Sequence, residues 1–423
     1  MFAPLDLIFQ RKYKNMEKLN IELCNSCGAC FAICPHNAIN MKLVNGVYIP
    51  LINTFSCTDC KLCENACPSI TINYEIKMKN YYLGDLISCY IGYSTDKNIR
   101  WNSSSGGLVT TLLLYLFDKK IISGAVVTSD NPSNPFRPFM SLVKNKEDIL
   151  KAMGSRYCPI EPRFKVKDLI NEKGKIAIVG LPCHIWAFRK LEKINKELKK
   201  KIFIHIGLFC ANSPNIYATM YFLKKIACID KEDVIKFSYR GRGWPGKITI
   251  TTRQGSTLTY KFRDWMDFAY YPHFTPIRCV LCYDITNQLA DISLGDAWGL
   301  AHNNLGISAI ITRTRLGHHL IQRLFREGKI AIYKVAPEDI SRGQKIEAKV
   351  KKALIRTYIW WKIFNQPIPY TTFILEKYSI KDWILNLGYC IWLYISRYNS
   401  LRNILFNLTP YLLRLRRLIH RRR

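Results

Sequence analysis

Eight of the 16 cysteines fall between Cys24 and Cys67, and their spacing is the clearest chemical signal in the chain. The first run, CNSCGACFAICP, holds Cys24, Cys27, Cys30 and Cys34 and closes on Pro35. The second, CTDCKLCENACP, holds Cys57, Cys60, Cys63 and Cys67 and closes on Pro68. Both read C-x2-C-x2-C-x3-C-P, and the second repeats the first 33 residues later at every cysteine. Three thiolates so close together can reach three corners of an iron–sulfur cubane from one short loop. The fourth lies about one helical turn further on, and the proline after it offers no backbone donor and redirects the chain. Gly28 and Ala29 are small enough for the crowded turn. Zinc sites usually separate two C-x2-C halves, and disulfide scaffolds belong to exported chains, so neither describes this pattern.

Residues 17–75 resemble the bacterial two-[4Fe-4S] ferredoxin domain. In such domains the fourth cysteine of each run ligates the other cluster. Cys24, Cys27, Cys30 and Cys67 are therefore expected on one [4Fe-4S] cluster, and Cys57, Cys60, Cys63 and Cys34 on the other. Free thiols suit a reducing compartment, and a cytoplasmic location is expected. The apolar start, Phe2 to Phe9, is short and its basic residues follow it, unlike a secretory signal. Trp383 to Ile395, interrupted by Asn386, is the nearest approach to a membrane span and is too short to cross.

The elements that must position further chemistry follow residue 79. Ser103 to Gly107, SSSGG, precedes an apolar helical stretch, Leu108 to Phe117. Small hydroxyls and glycines there suit an anion at a helix N-terminus, and equally a serine cap on a flexible loop. Strands are expected at Ile121 to Thr128, Lys175 to Val179, Ile202 to Phe209 and Ile307 to Thr312. Helices are expected at Ile185 to Leu198, Ile216 to Ile226 and Gly317 to Phe325, and a β-hairpin at Lys247 to Thr252 and Leu258 to Phe262. This alternation predicts an α/β domain with a mostly parallel sheet behind the α+β ferredoxin-like module. Gly180-Leu181-Pro182-Cys183 reads as a turn, and Cys183 and Cys210 each sit just past a predicted strand, where open sheets place their sites.

A second cysteine pair, Cys279 and Cys282, is a weak signal alone. The combination of GLPC at 180–183, GLFC at 207–210, RCVLCYD at 278–284 and ADISLGDAWG at 290–299 is specific. It resembles the family of coenzyme F420 hydrogenase/dehydrogenase beta subunits over about residues 80–330, with SSSGG and MGSRY (Met153 to Tyr157) matching its amino-terminal block. The resemblance implies FAD and a third [4Fe-4S] cluster on Cys183, Cys210, Cys279 and Cys282. It places flavin contacts at Ser104, Ser105, Gly106, Gly107, Ser155, Arg156 and Tyr157, with Arg156 expected to meet phosphate. It divides the chain into 1–78, 79–160, 161–335 and a helical basic region, 336–423. His184 stands where the family commonly has Gln, and is the candidate for a proton-handling role or, equally, a capping residue. Asp284 and Asp296 lie near Tyr283 and Trp298, and turn capping is their plainer reading. The basic loop YRGRGWPG, with Arg240, Arg242 and Trp244, fits either an acidic cofactor tail or a turn. Cys89, Cys158, Cys228 and Cys390 are expected to be buried small hydrophobes.

The expected activity is electron transfer between [4Fe-4S] clusters and FAD, ending on an F420-type or other two-electron acceptor; the alternative is a non-catalytic subunit delivering electrons to a partner enzyme. The expected partners are a redox protein or ferredoxin and a small-molecule donor or acceptor. With 63 Lys and Arg against 31 Asp and Glu, the net charge is +32 and attracts polyanions. The basic tail, with Trp383, Trp392 and RLRRLIHRRR, fits a helix on an anionic membrane surface, at the inner face of the membrane, or a helix packed on the body. No nucleic-acid motif is present and no nucleic acid is expected. HExxH, Walker A and GxSxG patterns are absent, which leaves metalloprotease, NTPase and serine-hydrolase readings without support.

Overall fold

The computed structural model describes residues 19, 21–70, 79–366, 368 and 378–421. The apolar start at 2–9, the last two arginines, and the side chains of 414–421 lie outside the described residues. The cysteine-rich module is a hairpin, β1 (Ile39–Val44) and β2 (Val47–Ile52), with two short helices, Ala29–Ile33 and Leu62–Ala66. Asn45 and Gly46 both take positive φ, the two-residue turn that matches strand twist. The sequence repeat is also a structural repeat. Each helix starts from a left-handed residue, Gly28 or Lys61, and each ends on an extended one, Cys34 or Cys67. Cys30 in the first helix is buried and Cys63 in the second partly so.

The remaining strands are β3 (Ser88–Ser94), β4 (Gly124–Ser129), β5 (Phe139–Val143), β6 (Glu161–Pro162), β7 (Ile176–Gly180), β8 (Ile202–Leu208), β9 (Val234–Ser238), β10 (Lys247–Thr252), β11 (Thr257–Lys261), β12 (Ile292–Asp296), β13 (Ser308–Thr312) and β14 (Ile330–Val335). Nine form one sheet in the order β14-β3-β13-β12-β8-β7-β4-β5-β6. Its centre, β12-β8-β7-β4, is parallel as expected. Its flanks add antiparallel pairings at β4/β5, β12/β13, β13/β3 and β3/β14. The expected hairpin is β10/β11, and β9 extends it into a separate three-stranded sheet.

Several elements differ from the sequence reading. Pro182 and Cys183 open a helix, Pro182–Ile194, instead of lying in a turn. The long helix expected beyond it breaks at Asn195, whose side chain accepts the Leu198 N–H and starts a second helix, Lys196–Lys201. The helix expected at Ile216 to Ile226 becomes π-helical from Phe222. Cys228, which follows, is exposed and left-handed, so it is not a core residue; Cys89, Cys158 and Cys390 are buried.

The module is pressed against the sheet domain by one continuous apolar core. Cys27, Ala29, Ala32 and Ala66 pack with Phe164, Leu169, Ile178, Ile185 and Phe188. At Gly28 a Cβ would lie 2.7 Å from Pro162 Cγ, and φ is +76°. A second cluster joins Leu23, Val280 and Leu281 to Trp360 and Leu393 of the C-terminal helices Ile346–Lys362 and Ile380–Ile395. Helix Asn399–Arg421 lays Phe406 and Leu413 on the core around Tyr221 and Phe268. The tail is thus packed on the body, while Ile380, Ile384, Leu385 and Ile391 stay exposed. Among the described residues no helix is long and apolar enough to cross a membrane.

Two outcomes follow from this packing. Gly28→Val adds overpacking, about 1–3 kcal/mol, to the left-handed penalty of about 1–2 kcal/mol. The variant should unfold at lower temperature, and limited proteolysis should release the cysteine module first. The buried His273 contacts Thr409 Oγ1 at 3.0 Å and stacks on Trp392, and burial, with Arg402 nearby, lowers its pKa from 6.5 to about 3. The unfolded chain therefore takes up this proton first, and the associated stability is lost as pH falls from 6.5 toward about 3. Thermal unfolding over that window should show a steeper loss in the native chain than in His273→Gln.

Candidate iron–sulfur and flavin sites

Strands β7 and β8 are parallel neighbours, so their carboxyl ends share one edge. Cys183 follows β7 as the second residue of its helix, and Cys210 lies two residues past β8, its N–H donating to Ile285 O at 2.9 Å. Cys279 sits in a short helix, Ile277–Val280, and Cys282 just beyond it. All four line one cavity with Cys24, His184, Arg278 and Asp284. It encloses about 860 Å³ of atom-free space, open mouth included. Burial and the neighbouring thiols push Cys183 and Cys210 well above the usual thiol range, and burial chiefly raises Cys279 to about 11. Such a set holds thiolates only where positive charge is supplied among them, which is the donor chemistry of an iron–sulfur core.

Sequence reasoning missed the residue that holds this edge together. Asn287 Nδ2 donates to Gly180 O at 2.9 Å and to Leu208 O at 3.3 Å, joining the last residues of β7 and β8. Asn287 is fully buried with φ 62°, and a Cβ on Gly207 would lie 2.6 Å from its Nδ2. The signals were an Asn in a left-handed turn and a Gly inside a strand, both too common to single out. Asp284 has the plainer role: its carboxylate accepts the Gln288 N–H at 3.1 and 3.3 Å, while burial pushes its pKa up against the pull of Arg313. His184 Nδ1 accepts the Leu181 N–H at 3.3 Å, capping its own helix, and burial lowers its pKa to about 4. It is a neutral imidazole on the cavity wall.

The N-terminal cysteines group across the repeat. Cys24, Cys27, Cys30 and Cys67 lie within mutual electrostatic reach, and burial raises Cys24 to about 12 and pushes Cys27 and Cys30 well above the usual thiol range. The N–H groups of Ser26 and Ser69 donate to the sulfurs of Cys24 and Cys67, two residues back, at 3.5 and 3.4 Å. Cys27 is also close enough to feel Cys183, so this group adjoins the cavity at the sheet edge. Of the other set, Cys63 faces Cys60, and Cys34 and Cys63 pack on the same small core around Leu19, Cys30 and Ile39. Cys57 and Cys60 are exposed. A polynuclear core spreads its ligands further apart than one ion does, and among the described residues no three His, Cys, Asp or Glu side chains meet at single-ion spacing.

The two segments expected at a flavin are brought together. Ser155 N–H donates to Ser104 Oγ at 2.8 Å. Ser105 Oγ donates to Ile307 O at 2.9 Å, and Gly106 N–H to Ser308 Oγ at 3.0 Å, seating the loop on β13. Gly107, φ 79°, opens the helix Leu108–Asp118 with no side-chain cap. Arg156 differs from expectation. Its guanidinium meets Asp130 at 2.9 Å and the carbonyls of Ala152 and Gly154 at 2.6 and 2.9 Å, so it braces its own loop. Tyr157 Oη accepts from Arg240 at 3.2 Å. Arg240 in turn pairs with both oxygens of Asp296, at 2.8 and 3.1 Å, and Trp244 Nε1 donates to the same carboxylate at 2.8 Å. The basic loop is therefore tied to the end of β12. Tyr270 is half-buried, with Tyr157, Cys210, Arg240 and Asp296 as its electrostatic neighbours, between this region and the cysteine cavity.

A cysteine-rich module fused to an open α/β sheet, with thiols converging at the strand ends, defines an iron–sulfur oxidoreductase class. Residues 23–70 match the 4Fe-4S dicluster domain, 89–166 the N-terminal and 173–338 the C-terminal domain of the coenzyme F420 hydrogenase/dehydrogenase beta subunit. The last two together match more than half of the chain, and the chain belongs to that family of beta subunits. It is 28% identical over 352 residues to an uncharacterised protein of Methanocaldococcus jannaschii, covering 76% of this chain and 92% of that one. It is 25% identical over 320 residues to one of the subunits of the F(420)H(2) dehydrogenase of Methanosarcina mazei, covering 72% and 83%. Against coenzyme F420 hydrogenase subunit beta of Methanosarcina barkeri it is 27% identical over 293 residues, covering 65% and 90%. A chain from the solved F420-reducing [NiFe] hydrogenase complex of Methanosarcina barkeri shares the fold, with TM-score 0.53 and 22% identity, covering 70% of this chain and 98% of that chain.

Asn287→Ala would leave two buried carbonyls without their donor, a cost of roughly 1–3 kcal/mol. Thermal unfolding should register that loss. Iron analysis should show metal lost from the sheet-edge cysteines while the N-terminal module keeps its own.

Proposed function

We propose that this chain is an iron–sulfur flavoprotein. It moves electrons between two N-terminal [4Fe-4S] clusters, a third cluster on Cys183, Cys210, Cys279 and Cys282, and FAD. The observation that carries this reading is the shared cavity wall. Cys24 lines it with the four sheet-edge cysteines, and Cys27 lies within electrostatic reach of Cys183. FAD would lie along Ser104, Ser105, Gly106, Gly107 and Ser155, with Tyr157 at its edge and Arg156 shaping the loop. FAD exchanges two electrons in single steps, so it joins one-electron clusters to a two-electron substrate. Here the chain's residues bind and orient: the uncapped helix at Gly107 favours phosphate, and Tyr270 fills the space toward Cys210. The substrate would be a deazaflavin of the F420 type or another organic acceptor.

A second reading rests on the relatives' names. Several are subunits: of F(420)H(2) dehydrogenase, of coenzyme F420 hydrogenase and of F420-dependent formate dehydrogenase. On that reading the chain delivers electrons to a partner enzyme. The exposed Cys57 and Cys60 make the second N-terminal cluster the point of contact.

Anaerobically purified protein should carry about twelve irons and one flavin, and Cys279→Ser with Cys282→Ser should lower the iron to about eight. Unchanged iron in the double variant would remove the third cluster. Turnover of reduced F420 by the isolated chain would favour the first reading over the second.

A further inference from the structure

Two lysines of the sheet domain reach into the cysteine module. Lys190, on the helix Pro182–Ile194, is buried and donates to Cys67 O at 2.6 Å. It lies within electrostatic reach of the Cys67 and Cys27 sulfurs, and of Lys193. Lys165 donates to Phe31 O at 2.9 Å and sits 3.5 Å over the Phe31 ring. Its electrostatic neighbours are Cys34, Asp168 and Cys30. The Lys190 ammonium is thus withdrawn from water and Lys165 is half-buried, and each is held by a backbone carbonyl beside cysteines. Asp168 also stands beside Lys165.

We propose that Lys190 and Lys165 set the reduction potentials of the two N-terminal clusters, Lys190 acting on the Cys24, Cys27, Cys30 and Cys67 cluster and Lys165 chiefly on the one that includes Cys34. The inference rests on the cluster reading above. A [4Fe-4S] core gains one electron and one negative charge on reduction. A fixed ammonium beside it favours that state and raises the potential, more strongly where water is excluded. Cys183 and Lys190 are seven residues apart on one helix, two turns along the same face. That helix therefore brings a sheet-edge thiol and a positive charge to the same cluster, which sits between its neighbours in the row.

Both lysines could merely latch the module, so the test separates charge from hydrogen bonding. The full-length holoprotein is titrated anaerobically with dithionite, the clusters being followed by electron paramagnetic resonance and iron counted in each variant. Lys190→Gln keeps a donor for Cys67 O and removes the charge, and Lys190→Arg keeps the charge. In Lys190→Gln one cluster's reduced-to-oxidised ratio at fixed potential should fall at least tenfold, about 59 mV for one electron. Lys190→Arg should titrate like the native chain. Lys165→Gln should move the cluster that includes Cys34 more than the other. Full iron with unmoved midpoints in both Gln variants would overturn the inference while leaving the clusters established. A native chain without [4Fe-4S] signals would overturn the cluster reading and this inference with it.

Discussion

The architecture depends on a dry seam between the cysteine module and the sheet domain. Gly28 has no Cβ, Ala29, Ala32 and Ala66 are small, and the opposing surface is Phe164, Ile185 and Phe188. The small residues let the helix that follows Cys27 approach the helix that begins at Cys183. A module of this size has little core of its own, so it gains burial by sharing one. Apolar surface is removed from water on both sides, and the same contact sets the separation of two cysteine groups.

The rest of the chain fixes what the seam brings together. Asn287 holds the ends of β7 and β8, so Cys183 and Cys210 stay in register. Leu23, Val280 and Leu281 rest on Trp360 and Leu393, so one apolar cluster stands behind both Cys24 and the Cys279–Cys282 loop. The C-terminal helices lie beyond the matched family domains, which end at residue 338, yet they brace the central cysteines. Truncating them would disturb the cysteine cavity as well as the tail. The bidentate Arg240–Asp296 pair plays the corresponding part beside the SSSGG and GSRY segments, tying the basic loop to β12 next to Tyr157.

Much of this was legible in the residues. The C-x2-C-x2-C-x3-C-P repeat has few other physical explanations, and the resemblance to two-cluster ferredoxins implied the crosswise grouping of Cys24, Cys27, Cys30 and Cys67. The apolar strands at 176–180 and 202–208 were visible because strands buried on both faces read as continuous hydrophobic runs. β12 was missed as a strand because ISLGD carries glycine and aspartate, and its fitness comes from close packing of Gly295 against Phe209. Arg156 was misjudged because residue type does not reveal which partners fold within reach, and Asp130 and two carbonyls take it first. Lys190 gave no signal at all: a lysine on an amphipathic helix is ordinarily solvated, and only the docked module buries it.

The central claim is that the Cys24–Cys67 cluster and the sheet-edge cluster are immediate neighbours in one electron path. Its most direct measurement is electron paramagnetic resonance of the fully reduced holoprotein, compared with Cys279→Ser/Cys282→Ser. Adjacent paramagnetic clusters couple through their spins, so the native spectrum should be broadened and split, and the double variant should collapse to signals of the N-terminal pair alone. An identical spectrum in both proteins would contradict the account.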